Sequence, residues 1–253
     1  ISSIDALDMI YKKAETALHT AIEFDEAQQA GENFHFHIAM ADDTANMDEH
    51  WQVSQDLRQA IAEHHISMDY QPKIELETGV VVGAEALVRW RYNGEVRPPH
   101  SYLPALSSGL MWELTQYCFR LLMRNINDYG LDLPLSINLE HSCLYETDLL
   151  RFLDQESTFW GIDHDRITLE ITYTKELFNP GLIRETIHAL RAHGFKISID
   201  DFACSRAALE TLRDLPADEV KIHSTLSGNS FTEPENQSCQ RVIMSNSAFP
   251  PPQ

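Results

Sequence analysis

Val82-Gly83-Ala84-Glu85-Ala86-Leu87-Val88-Arg89-Trp90 falls in a run, Val80–Trp90, that reads as one β-strand, apolar along most of its length, with Glu85 and Arg89 set into it. Equally short apolar runs recur at Ser67–Leu76, Leu133–Leu139, Ile167–Ile171, Lys196–Ile199 and Glu219–Ile222. Helical spacing fills several of the gaps, over Tyr102–Asn127, Ser142–Thr158, Pro180–His193 and Arg206–Asp214. Strand and helix in alternation mean βα units, and so an α/β fold built on a parallel sheet. In such folds the chemistry gathers at the carboxyl ends of the strands.

Those strands carry oxygen ligands in succession. The first holds Glu85, the next Asn138, the third Glu170, and the fourth ends in Asp200-Asp201. The last holds Lys221 and is followed by His223. Taken singly, each carboxylate would be read as a solvated loop residue or a helix cap. One per successive strand is a different matter, because all then face one pocket. Glu, Asn, Glu and Asp together are hard oxygen donors, suited to Mg²⁺ or Mn²⁺ and not to zinc. The neighbours Asp200 and Asp201 could serve two ions, an arrangement used to cleave phosphodiesters by in-line attack of water. A lysine beside them can orient that water or neutralise phosphate charge.

Composition narrows the partners. The 253 residues carry a net charge of −20, which repels DNA, RNA and anionic lipid surfaces. No apolar run reaches membrane-spanning length and no signal peptide opens the chain. Cys118, Cys143, Cys204 and Cys239 lack zinc-motif spacing, and free thiols point to a reducing cytoplasm. Three regions follow: 1–45, a helical segment ending in a linker with turn chemistry at 41–46; 46–223, the α/β body; and 224–253, an irregular tail rich in Ser, Asn, Pro and Gln.

With these residues in view, the chain resembles the EAL domain, a family that hydrolyses the bacterial second messenger cyclic di-GMP. The resemblance rests on Tyr70-Gln71-Pro72-Lys73, the Glu85-Ala86-Leu87 signature, Ser136-Ile137-Asn138-Leu139, Leu169-Glu170-Ile171-Thr172, Asp200-Asp201-Phe202 and Leu215-Pro216-Ala217-Asp218-Glu219-Val220-Lys221-Ile222, in the family's order. It implies a modified TIM barrel. It implies Glu85, Asn138, Glu170 and Asp200 as ligands of a first Mg²⁺ or Mn²⁺, with Asp201 on a second. Lys221 resembles the residue that positions the attacking water, and with Glu85 makes the catalytic pair. Gln71 resembles a guanine contact and Arg89 a phosphate contact. The helix near Ala14–His19 resembles the end of a GGDEF domain, the diguanylate cyclase type, which often precedes an EAL domain.

The match has departures. The family's glycine-rich loop is replaced by Ala203-Cys204-Ser205, a family glutamate by Tyr173, and an aspartate by His223. The family's final strand motif, Ala-Glu-Gly-Val-Glu, is not found, so the resemblance implies a barrel lacking its C-terminal part. Two functions compete on these grounds. One is metal-dependent hydrolysis of cyclic di-GMP to the linear dinucleotide, slow given the departures. The other is an inactive domain that binds cyclic di-GMP or a partner protein. A homodimer or a linked regulatory domain is the expected setting.

Overall fold

The computed structural model describes residues 41–92, 94–172, 180–202, 217–222 and 240–242. Its elements run α1 (Ala41–Ala62), β1 (Ile66–Ile74), β2 (Val81–Tyr92), β3 (Glu95–Arg97), α2 (Ser108–Tyr129), β4 (Leu135–Leu139), α3 (Leu149–Trp160), β5 (Ile167–Thr172), α4 (Pro180–Ala192), β6 (Lys196–Phe202), β7 (Glu219–Ile222) and β8 (Gln240–Val242). They fall into two units, Ile1–Ile66 with Arg89–Glu113, and Ser67–Val88 with Leu114–Gln253.

The second unit is built on one sheet, ordered β1-β2-β4-β5-β6-β7-β8. Along that order the pairings from β2 through β4, β5 and β6 to β7 are parallel, while β3 pairs antiparallel with β2 off the path. Sequence order is kept along the sheet, with α2 before β4, α3 before β5 and α4 before β6. That succession is the βα alternation expected from the apolar runs, and it is the order of a TIM-like barrel. β5 shows why its sequence is so apolar: Ile167 to Ile171 are all buried, as a strand covered on both faces requires. The glutamate in that run, Glu170, is buried completely. Along α2, Leu114, Cys118, Leu121, Leu122 and Ile126 form the buried stripe of an amphipathic helix. α3 stops at Gly161, whose left-handed φ of +66° lets its N–H cap Ser157 and Thr158 carbonyls.

Gly83 is fixed by a close approach. A Cβ there would lie 2.8 Å from the Pro134 carbonyl oxygen. The neighbouring Ala84 N–H donates to that same oxygen at 3.0 Å. The contact joins β2 to the chain entering β4, so it sets the level of Glu85. Gly83→Ala is expected to cost about 1–3 kcal/mol by overpacking, read as a lower urea midpoint with unchanged slope.

In the first unit, Leu57, Ala60, Ile66, Trp90, Tyr102, Leu106 and Leu110 are buried. The end of β2 turns back into β3, with Trp90 opposite Arg97 and Tyr92 opposite Glu95. The Arg97 guanidinium lies 4.0 Å from the Tyr92 ring centre and 4.9 Å from that of Trp90. Trp90 meets Tyr102 edge to face at 5.1 Å.

Several expectations are revised. The stretch 41–46 is not a linker but the start of α1. No Gly or Pro interrupts that stretch. A hairpin to β3 is not among those expectations, although the sequence Asn93-Gly94 favours a two-residue turn; Gly94 has φ +84°. The helix expected from Tyr102 begins only at Ser108, because Pro104 cannot sit inside a helix; Ser107 Oγ accepts from Leu110 N–H at its start. The helix expected over Ser142–Thr158 divides into a 3₁₀ turn at His141–Tyr145 and α3, the Glu140 carboxylate accepting from Ser142 N–H. The 224–253 tail is not wholly irregular: β8 pairs antiparallel with β7. The helix at the start of the chain with its GGDEF-like stretch, the loop 203–205, the helix Arg206–Asp214, Tyr173 and His223 lie outside the described residues.

Candidate active site

Register places the strand-end residues. Asn138 on β4 lies opposite Glu170 on β5. Glu85 on β2 lies opposite Ser136, two residues earlier along β4. Asp200 on β6 lies opposite Thr172, two residues later along β5. Between β6 and β7 the register slips, Ile199 facing Val220 and Phe202 facing Ile222. Asp200-Asp201 therefore occupies an irregularity in β6, the kind of bulge that re-aims side chains beside active sites.

Side chains from four of these strands meet at one ammonium. Lys221 Nζ donates to Glu85 Oε2 at 2.8 Å, to Glu170 Oε2 through a very short bond, and lies 3.5 Å from Asp200 Oδ2. Asn138 Nδ2 donates to Glu85 Oε1 at 3.0 Å. A second lysine completes the cluster. Lys73 Nζ on β1 donates to Glu170 Oε1 at 2.7 Å and lies 3.7 Å from Glu219 Oε1. Glu219 in turn accepts from Ser198 Oγ at 3.2 Å.

The electrostatics follow from burial opposed by charge. Burial alone would push the Glu170 carboxyl up, but Lys221 and Lys73 overcome it and hold it down to about 2. Burial would likewise depress Lys221; Glu170, Glu85 and Asp200 more than reverse this and raise it. Lys221 is therefore a fixed cation, unable to act as a base near neutral pH. Glu85 is raised, first by burial and then by Glu170.

Among the described residues, no three His, Cys, Asp or Glu side chains already stand as a ligand cage. Their oxygens are held by the two ammoniums instead. The donor set nonetheless fits a divalent ion. Glu85, Glu170, Asp200 and Glu219 against Lys73 and Lys221 leave two negative charges, one divalent ion's worth, and the donors are hard oxygens.

Of the residues read from the sequence, Glu85, Asn138, Glu170, Asp200 and Lys221 are brought together. Asp201 lies beside Asp200 on β6. Gln71 is exposed on β1. Arg89 is half-buried on β2 and belongs to the other unit. Lys73 and Glu219 were missed as members of the site. Glu219 had a signal: it lies two residues before Lys221, hence on the same face of β7. Lys73 had a signal of the same kind: it is the next-to-last residue of β1 and lies two residues after Gln71, hence on the same face.

Known proteins resemble this chain in sequence and in fold. The chain is 33% identical over 171 residues to an Escherichia coli protein described as "Probable cyclic di-GMP phosphodiesterase PdeB", covering 66% of this chain and 33% of that one. It is 29% identical over 194 residues to "Cyclic di-GMP phosphodiesterase PA2567" of Pseudomonas aeruginosa, covering 74% and 33%. The chain thus spans about a third of the length of these relatives. Among solved structures, "PaMucR Phosphodiesterase, c-di-GMP complex" is 28% identical with a TM-score of 0.63, covering 71% of this chain and 76% of that chain. The Xanthomonas citri FimX EAL domain in complex with c-diGMP, at 16% identity and a TM-score of 0.65, shares the fold. The EAL domain model matches residues 54–245, three quarters of the sequence, and the chain belongs to the EAL domain family.

Proposed function

We propose that this domain binds cyclic di-GMP and hydrolyses one of its phosphodiester bonds, giving the linear dinucleotide, with Mg²⁺ or Mn²⁺ held by Glu85, Asn138, Glu170 and Asp200, and Asp201 toward a second ion. The observation that supports this most is the convergence of three carboxylates from β2, β5 and β6 on the Lys221 ammonium, with the Asn138 amide of β4 donating to one of them, Glu85. A bound divalent ion would neutralise phosphate charge and acidify the attacking water. The chain's own residues do the rest. Lys221, kept protonated by its three carboxylates, donates hydrogen bonds and so orients water or a phosphate oxygen. Asn138 fixes the rotation of Glu85 through its amide. Gln71 would contact a guanine, and Arg89 a phosphate. The relatives "Cyclic di-GMP phosphodiesterase PA2567" and "PaMucR Phosphodiesterase, c-di-GMP complex" point the same way. No helix among the described residues is long and apolar enough to cross a membrane.

Arg89→Ala is expected to weaken cyclic di-GMP binding by about 1.5–3 kcal/mol, the worth of a hydrogen bond to a charged group. Fluorescence titration in Ca²⁺, chosen to suppress turnover, measures it. Unchanged affinity would remove Arg89 from the site.

A further inference from the structure

We propose that Lys73 is a built-in counter-cation that keeps the ligand set together without metal and lowers its affinity for divalent ions. The inference rests on the reading that this site takes such an ion.

Glu170 has two carboxylate oxygens, and a different lysine holds each: Lys73 takes Oε1 and Lys221 takes Oε2. Glu170 is fully buried, and the side chains of Lys73 and Lys221 are only 10% and 7% exposed. An ammonium is placed in such surroundings only against its desolvation cost, so its carboxylate partners are the reason it stays. The two lysines differ in where they stand. Lys221 bonds the oxygens of Glu85 and Glu170 that converge with Asp200, where a divalent ion would gather its ligands. Lys73 stands on the far oxygen of Glu170 and near Glu219. An ion entering among Glu85, Glu170 and Asp200 can therefore displace Lys221 from their oxygens and leave Lys73 in place. Lys73 then keeps one unit of positive charge against a ligand of that ion, at a separation and burial where like charges repel strongly. In the metal-free protein the same charge is stabilising, because Glu170 would otherwise share a single cation with Glu85 and Asp200. One residue thus trades ion affinity for order among the carboxylates.

The test is calorimetric titration of the whole chain with Mn²⁺ and with Mg²⁺, alongside metal-free thermal melts. Lys73→Met is expected to bind both ions about tenfold more tightly than wild type. Its metal-free melting temperature should fall, and the rise on adding Mn²⁺ should exceed that of wild type. Lys73→Arg, which keeps the charge, should bind as wild type does. Lys73→Gln, which can still donate a hydrogen bond to Glu170, carries the same expectation as Lys73→Met and serves if the methionine variant does not fold. Wild type that binds neither ion would contradict the divalent reading itself. Wild type that binds, with Lys73→Met and Lys73→Gln binding equally or more weakly, would overturn the role of Lys73 alone. A Lys73→Arg variant as tight as Lys73→Met would also overturn it, because charge would not be the cause.

Discussion

Lys221→Ala is expected to cost the metal-free domain about 3–5 kcal/mol of folding stability, the usual penalty for removing one partner of a buried ion pair. Lys221 is the shared partner of Glu85, Glu170 and Asp200, and its side chain is nearly inaccessible. Alanine leaves three carboxylates facing one another. Glu170 keeps Lys73, but Glu85 keeps only the Asn138 amide among the bonds described here. The destabilisation should shrink when Mn²⁺ is added, because an ion can take the ammonium's place among the oxygens. Urea unfolding with and without Mn²⁺ measures both effects. A variant as stable as wild type, or one indifferent to Mn²⁺, would show that the carboxylates are not the buried, mutually repelling set described.

Glu170→Gln keeps shape and removes charge. Divalent affinity is expected to fall by about 100-fold, at the upper end of what altering even the partners of a ligand costs. Stability should fall as well, since two buried lysines lose their common carboxylate. The pH dependence has a definite sign. The Glu170 pKa is held down to about 2 in the folded state, against roughly 4.3 when unfolded. A depressed carboxylate contributes stability above its unfolded pKa, and that contribution is lost as pH falls through the folded pKa. The gap in urea midpoint between wild type and Glu170→Gln should thus be full above about pH 4.5 and close toward pH 2. Parallel curves across that range would contradict the two-lysine clamp.

Much of this was legible in the residues. Apolar runs with helical patterns between them gave the parallel order β2, β4, β5, β6, β7, because a strand covered on both faces has to be nearly all apolar. Glu85, Asn138, Glu170, Asp200 and Lys221 were legible because each interrupts or ends such a run. What stayed hidden depends on partners distant in sequence. Lys73 meets Glu170 across 97 positions of chain; strand alternation puts it on the face of Gln71, but nothing local in Gln71-Pro72-Lys73 names its carboxylate partner. How the carboxylate oxygens divide between Lys73 and Lys221 was equally hidden, since a residue list carries no pairing. The helical state of 41–46 is hidden because Asp42-Asp43-Thr44 has turn chemistry in isolation. The hairpin to β3 was overlooked although Asn93-Gly94 marks it.

The central claim is that the strand-end carboxylates and Lys221 hydrolyse cyclic di-GMP with a divalent ion. Chromatographic separation of products after incubating the whole chain with cyclic di-GMP and Mn²⁺ tests it most directly. The account predicts accumulation of the linear dinucleotide, abolished by a chelator and lost in both Glu170→Gln and Lys221→Ala. No product from wild type, or product that persists in either variant or under chelation, would contradict it.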